Sequence, residues 1–331
     1  AMPSEEKRDS DLAVATIRAS ALAPLAGFIA DCSLDPDVFL GHCQISPVML
    51  SDPYAQISLA QYVGAFEQAA VTLKDPSLGL AVGVRISPAD LGPMGVLFSI
   101  SSTMQAAFER LSRHVLAFQG GTQSSAFEVG SDLVWTYRLS DIAIWPRRQD
   151  AEYTLAAVCK LARSRFGTDW TPQEIHFEHG NRFRAAILQR VFRAPVLFNQ
   201  SANRVIFDKA DAVKRYRRED TGLVRILERH IADLLGQRTG APSLIDQVRG
   251  IVNLPMGQRP VTLNSVAPPL NMSHRSLQRR LSEQDSSLRN ILRDHRKDLA
   301  ILQLREVRAF RAWTGECPSA VLRSGSEPPV T

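Results

Sequence analysis

No apolar run in this 331-residue chain approaches the roughly 18–20 residues needed to cross a bilayer, and the best candidate, Gly79–Val84, is far too short. The four cysteines, Cys32, Cys43, Cys159 and Cys317, are scattered with no C-x-x-C pair. Zinc-finger and disulfide frameworks are therefore excluded, and buried free thiols are expected. G-x-S-x-G, G-x-x-x-x-G-K-[ST] and a G-x-G-x-x-G after a strand are all missing, so the common hydrolase and nucleotide-binding sites are absent. The sequence reads as a non-enzyme without a cofactor, an unrecognised carboxylate pair being the alternative. His176-Phe177-Glu178-His179 is the one metal-like string. On a strand His176 and Glu178 share a face while His179 points away, which argues against three ligands converging.

Ala19–Ala30 is apolar and follows Arg18, a faint imitation of a signal peptide. The preceding SEEKRDSD carries as many acids as bases, and Asp31 stands where a small residue would be wanted. An amphipathic helix of a cytoplasmic protein is the expectation, with Ala1 ahead of Met2 a cloning remnant.

With 44% apolar and 22% charged residues the composition is that of a folded protein, long enough for two domains. The net charge of +5 is unevenly placed. Residues 1–243 hold 26 basic and 26 acidic side chains, whereas residues 244–331 hold 13 and 8. A basic C-terminal module on a neutral body suits a nucleic-acid reader attached to something else.

Periodicity divides the neutral part further. Asp11–Asp31 has helical apolar spacing with a break at Pro24, and Asp35–Met49 predicts one or two short helices. Ser58–Leu73 is a clear amphipathic helix, and Thr103 caps another running to about Phe118. Ser125–Val129 and Leu133–Leu139 flank Gly130-Ser131-Asp132 as a hairpin. Asp150–Phe166 and Arg182–Phe192 read as helices; Glu174–His179, Val196–Phe198 and Arg204–Phe207 read as strands. This mixture without a βαβ rhythm predicts an α+β fold. Thr221–Leu235 carries a wide apolar stripe, either packed on the first domain or used as a dimer contact, and Gln237–Ser243 has linker composition.

From Ser243 short helices follow one another. Leu244–Asn253 is the first, Thr262 caps LNSVAPPLN, and Ser273 caps HRSLQRRLSE. Leu277 and Leu281 point inward while His274, Arg275, Gln278 and Arg279 point outward. Ser286 or Ser287 caps a longer helix bearing Arg289, Arg293, Arg296 and Lys297. Two helices joined by a tight turn, with Arg and Gln outward, suit the major groove, because Arg can bond guanine and Gln adenine bidentately. On spacing alone the alternative is a solvated basic face on a helical hairpin.

The run SVAPPLNMSHRSLQRRLSEQDSSLRNILRDHRKDLA resembles the first helix-turn-helix and connecting helix of AraC/XylS-type transcription regulators. RAFRAWTGECPSAVLR (Arg308–Arg323) resembles that family's closing signature. LGLAVGVRISPADLGPMG, TMQAAFERLSRHV, IHFEHG and VFRAPVLFNQSANRVIF are similar to the N-terminal regulatory domain of one AraC subgroup, sometimes labelled arabinose-binding. The resemblance implies an α+β N-terminal regulatory domain plus an all-α helix-turn-helix C-terminal domain. The implied boundaries are a tail at 1–10, a regulatory domain at 11–210, a connecting helix and linker at 211–242, the DNA-binding domain at 243–323 and a tail at 324–331.

By that resemblance Arg275, Gln278 and Arg279 face base edges, and Ser273, Arg289 and Arg293 contact phosphates. The implied partners are double-stranded promoter DNA, a small-molecule effector of unknown identity, a second copy in a homodimer, and RNA polymerase; no membrane is involved. Arg110, His114, Trp135, Tyr137 and Trp145, on one helix and the adjoining hairpin region, are the expected effector pocket. The alternative is a small-molecule-binding or protein-interaction module with a degenerate DNA-binding half.

Three departures from the family pattern bear on this. Pro268-Pro269 falls inside the supporting helix, where a mid-helix proline costs roughly 3 kcal/mol, and so predicts a shortened or kinked helix. Asp285 replaces the usual turn glycine, a mild change because Asp tolerates the left-handed region. Between Leu304 and Arg308 only three residues stand where the family has about twenty more, which form most of the second helix-turn-helix. That spacing would remove half the reading surface and leave Phe310 and Trp313 without the helices they pack against.

Overall fold

The computed structural model describes residues 15–180, 184–236, 244–245, 248, 252, 261–270, 272–284, 286–297, 300–301 and 304. Its first element is a strand, β1 (Thr16–Arg18), not the helix that the apolar spacing from Asp11 suggests. Helix α1 (Ala23–Asp31) begins at the expected break, because Pro24 occupies its first turn, where the missing N–H costs no intrahelical bond. Cys32 ends that helix and is exposed, contrary to the expected burial; Cys43 is half-buried and Cys159 buried. Cys317 lies outside the described residues.

Helix α2 (Pro36–His42) is capped by Asp35, whose carboxylate accepts from the Asp37 and Val38 amides at 2.9 and 3.3 Å. Strand β2 (Gln56–Ser58) returns to pair antiparallel with β1, setting Ile57 against Ile17. Ser58 then caps α3 (Leu59–Thr72) in a reciprocal box with Gln61, satisfying two otherwise orphaned amides. Helices α4 (Leu78–Gly83) and α5 (Gly92–Ile100) follow, and Thr103 Oγ1 accepts from the Ala106 amide at 3.1 Å to start α6 (Met104–Phe118).

The predicted hairpin is β3 (Thr122–Val129) and β4 (Asp132–Leu139), turning at Gly130 with φ 61°, a conformation that costs glycine nothing. Helix α7 (Arg148–Phe166) leads to β5 (Glu174–His176), α8 (Ala185–Phe192), β6 (Val196–Leu197), β7 (Asn203–Asp208) and α9 (Lys209–Val213). Residues 182–183 of the expected helix lie outside the described residues. β5 stops before the predicted end because the Glu178 amide donates to the Asn203 side chain at 3.0 Å rather than to a neighbouring strand. The sheet order is β3-β4-β7-β5-β6, antiparallel except between β5 and β6.

Register gives this sheet two unlike faces. Trp135 stands opposite Val205, and Val205 opposite Ile175; with Leu133 and Phe207 they form a buried inner face. Thr136 stands opposite Arg204, and Arg204 opposite His176. The outer face is thus polar, and Arg138 lies on it two residues beyond Thr136.

Helix α10 (Thr221–Gly236) lays Val224 and Ile231 into the same core as the preceding elements. Its apolar stripe therefore packs against the chain's own body. A second cluster joins Val248, Val252, Val266, Ala267, Leu277, Leu281 and Ile291. Val266, Leu277, Leu281 and Ile291 reach it from α11 (Leu263–Val266), α12 (His274–Ser282) and a helix at 288–297, α13. α11 ends at Val266 and the chain continues through a 3-10 turn, Pro268–Leu270, so the double proline shortens this helix as expected. Among the described residues no helix is long and apolar enough to cross a membrane.

Candidate functional site

Ser273 builds the start of α12. Its Oγ accepts from the Ser276 amide at 3.1 Å and donates to the Ser276 hydroxyl at 2.9 Å. Leu277 and Leu281, four apart and both buried, fix the rotation of the helix. Arg275, Gln278 and Arg279 are consequently exposed on the opposite side. Arg279 makes an exposed 3.5 Å pair with Glu283, a contact of small energy. Arg289 and Arg293 are exposed on α13, with Arg293 3.6 Å from Asp294. Ser287 caps that helix through the Asn290 amide at 3.1 Å. Asp285 and the closing signature, with Phe310 and Trp313, lie outside the described residues.

The residues expected to line an effector pocket meet different partners. Arg110 holds Glu219 bidentately at 2.7 and 2.8 Å and also donates to the Ser101 hydroxyl at 2.8 Å. His114 lies 3.8 Å from Glu228, and burial lowers its pKa. Both side chains thus face α10 and the residues just before it. Arg110 holds the Glu219 carboxyl down to about 2 by hydrogen bonding. Trp135 is sealed in the core, its indole N–H donating to the Ser112 hydroxyl at 3.1 Å. Tyr137 is buried, donates to Asp150 Oδ2 and accepts from Gln119 Nε2, both at 2.9 Å. Burial raises the Asp150 carboxyl to about 7.

Trp145 borders a hollow of about 20 Å³ with Arg147, Arg148, Glu178, His179 and Asn203, space for about one water. A larger groove of about 710 Å³ runs between α2 and α3, lined by Val38, Phe39, His42, Gln61, Ala65 and Gln68 among others. Its volume suits a small molecule, and apolar side chains alternate along it with polar ones, among them the Asp35 carboxylate. Val38 is 56% exposed on a helix that otherwise buries Phe39 and Leu40, and nothing in the linear pattern marked it.

In His176-Phe177-Glu178-His179 only His176 lies on a strand, and the three polar side chains meet different partners. His176 Nε2 lies 2.8 Å from Glu174, while His179 stacks on Phe177 and lies 3.6 Å from Glu152. Glu178 meets Arg138 at 2.7 Å and Arg147 at 3.2 Å and accepts from Asn203 Nδ2 at 3.3 Å. Among the described residues no group of three or more His, Cys, Asp or Glu side chains is placed to hold a metal. Arg138 Nη1 also donates to His295 Nδ1, 2.8 Å away on α13.

A sequence profile described as the arabinose-binding domain of AraC transcription regulator, N-term, matches residues 34–215. HTH-type transcriptional regulator VirS of Mycobacterium tuberculosis is 22% identical over 285 residues, 85% of this chain and 83% of that protein. The ornithine utilization regulator of Pseudomonas aeruginosa is 22% identical over 319 residues, 89% of this chain and 93% of that protein. The crystal structure of transcriptional regulator CdpR from Pseudomonas aeruginosa aligns with a TM-score of 0.49 at 16% identity, covering 90% of this chain and 96% of that one.

Proposed function

This chain belongs to the AraC-type transcription regulators with an arabinose-binding-type N-terminal domain, and on that premise we propose that it reads promoter DNA by sequence through α12. The observation that carries this reading is the division of α12: Leu277 and Leu281 anchor it to the second cluster, and Arg275, Gln278 and Arg279 stand exposed on the other side. Arg275 and Arg279 suit guanine edges and Gln278 suits adenine. Arg289 and Arg293 supply phosphate contacts, which set register and salt dependence. Ser273, whose hydroxyl serves the cap, reaches phosphate through the helix start.

The N-terminal domain is the sensor, and a small-molecule effector is its input. The α2–α3 groove suits such a ligand better than the expected residue set, of which Arg110 and His114 are committed to holding α10. The domain's label does not establish a sugar. Dimerisation is supported by the outer side of α10, where Ile226 is 67% and Leu223 38% exposed while Val224 and Ile231 pack inward.

The test is selection of duplexes from a random pool by the purified full-length chain, followed by binding at several salt concentrations. A shared sequence motif, with affinity falling as salt rises, supports the reading. Equal, salt-sensitive binding to every duplex, or none at all, overturns it in favour of a sensor or interaction module without a working reader.

A further inference from the structure

Helix α13 presents three environments. Leu288, Ile291 and Leu292 turn into the second cluster, Arg289 and Arg293 face solvent, and His295 is only 6% exposed. The ring of His295 is covered from the polar outer face of the sheet, where Arg138 Nη1 lies 2.8 Å from its Nδ1. A guanidinium can only donate, so Nδ1 accepts and the ring is neutral with its proton on Nε2. Nε2 has no hydrogen-bond partner among the described residues, a cost borne by a ring held in place from one side. Burial and the nearby cations Arg138, Arg204 and Arg296 lower its pKa to about 3. Arg138 is itself fixed from behind by Glu178, which Arg147 and Asn203 hold in turn. Arg204 sits beside it on the same face, opposite His176, which pairs with Glu174.

We propose that the outer sheet face at Arg138 and Arg204 is a docking surface for α13, keyed by His295, so that the two hydrophobic clusters move as one unit. Docked in this way, Arg275, Gln278, Arg279, Arg289 and Arg293 remain exposed. The contact is therefore a brace that orients the reading face and does not block it. The docking stands on these contacts alone; its effect on DNA rests on the function proposed above.

Charge reversal on the full-length chain tests the docking. His295→Lys sets a third cation against Arg138 and Arg204, whereas His295→Glu supplies a carboxylate that both can pair with. The expected result is a larger X-ray scattering radius and roughly tenfold faster amide exchange around Arg138 for the Lys variant, with neither change for the Glu variant. Equal behaviour of the two variants in both measurements would overturn the proposal. Should Lys unfold the helix, His295→Gln, whose amide oxygen still accepts from Arg138, is compared with His295→Leu, which cannot. Docking requires that Gln keep the compact radius and Leu lose it, and equal radii would contradict it.

Duplex binding is read separately, on a site selected by the unmutated chain. His295→Leu is expected to weaken it roughly tenfold, because only the docked fraction presents the reading face correctly, and unchanged affinity would refute the brace. If no selective duplex binding exists at all, the function fails while the scattering result still decides the docking.

Discussion

Glu178→Gln is the sharpest perturbation of the N-terminal domain. The carboxylate is nearly sealed and is met by Arg138 at 2.7 Å, Arg147 at 3.2 Å and the Asn203 amide at 3.3 Å. Gln has the same shape and keeps one acceptor oxygen, so packing is conserved and the change is electrostatic. Two buried guanidiniums would then face each other without their shared counter-charge. Breaking a buried pair in this way costs about 3–5 kcal/mol, and the remaining oxygen places the loss near the lower end, about 3 kcal/mol. For a domain of this size that lowers Tm by roughly 6–12 °C. Thermal unfolding of the full-length chain by circular dichroism at neutral pH reads it, at low salt and at about 0.5 M salt, where exposed pairs are screened and buried ones are not. A shift below about 1 °C, or one that salt abolishes, would refute the burial argument, since only a solvated pair behaves that way.

Glu219→Gln removes the bidentate partner of Arg110 and should loosen α10 by about 1.5–3 kcal/mol, seen as faster amide exchange in that helix; unchanged exchange would contradict the anchoring role. The Glu219 carboxyl is held down at about 2, so its stabilisation is present above the ordinary carboxylate range and is lost as pH falls towards 2. The Gln variant should lack that part of the acid-induced loss. Asp150 has the opposite sign. Its pKa is raised to about 7 by burial, so its contribution is greatest below the ordinary aspartate range and is lost as pH rises through 7. Asp150→Asn should flatten the fall in stability between pH 4 and 7 in denaturant titrations, and an unaltered slope would disprove the assignment. Gly79→Ala would put a methyl group 2.1 Å from the Gln149 carbonyl oxygen. A loss of about 3 kcal/mol is expected in the same titrations, and a neutral outcome would mean that α4 and α7 are not packed as described.

What the sequence made legible was mostly local. Thr103 and Ser273 announce their helices because a cap and its amides lie within three residues. Leu277 and Leu281 announce the rotation of α12 through helical spacing alone, and Gly130 announces the hairpin. The first strand was missed because its helical-looking spacing is overridden by pairing with Ile57, forty residues away in sequence. The partners of the expected effector residues were hidden for a similar reason. Arg110 finds Glu219 across 109 residues, and nothing in the local pattern distinguishes an arginine that anchors a helix from one that lines a cavity. Buried charges such as Arg138, Glu152 and Glu178 look like surface charges in a linear reading. Their burial follows from the elements they sit on and from which partners the fold brings to them. His295 likewise sits among surface-type residues, and only the packing of α13 against the sheet reveals it.

The central claim is that α12 reads base edges, and Arg279→Ala tests it most directly. Binding of the unmutated and variant chains would be measured across single-base-pair changes in a duplex selected by the unmutated chain. The account predicts a loss of about 1–3 kcal/mol confined to one or two base pairs, with discrimination relaxed at those positions. An equal loss on every duplex would reduce Arg279 to a phosphate contact and contradict the assignment of α12 as the reading helix.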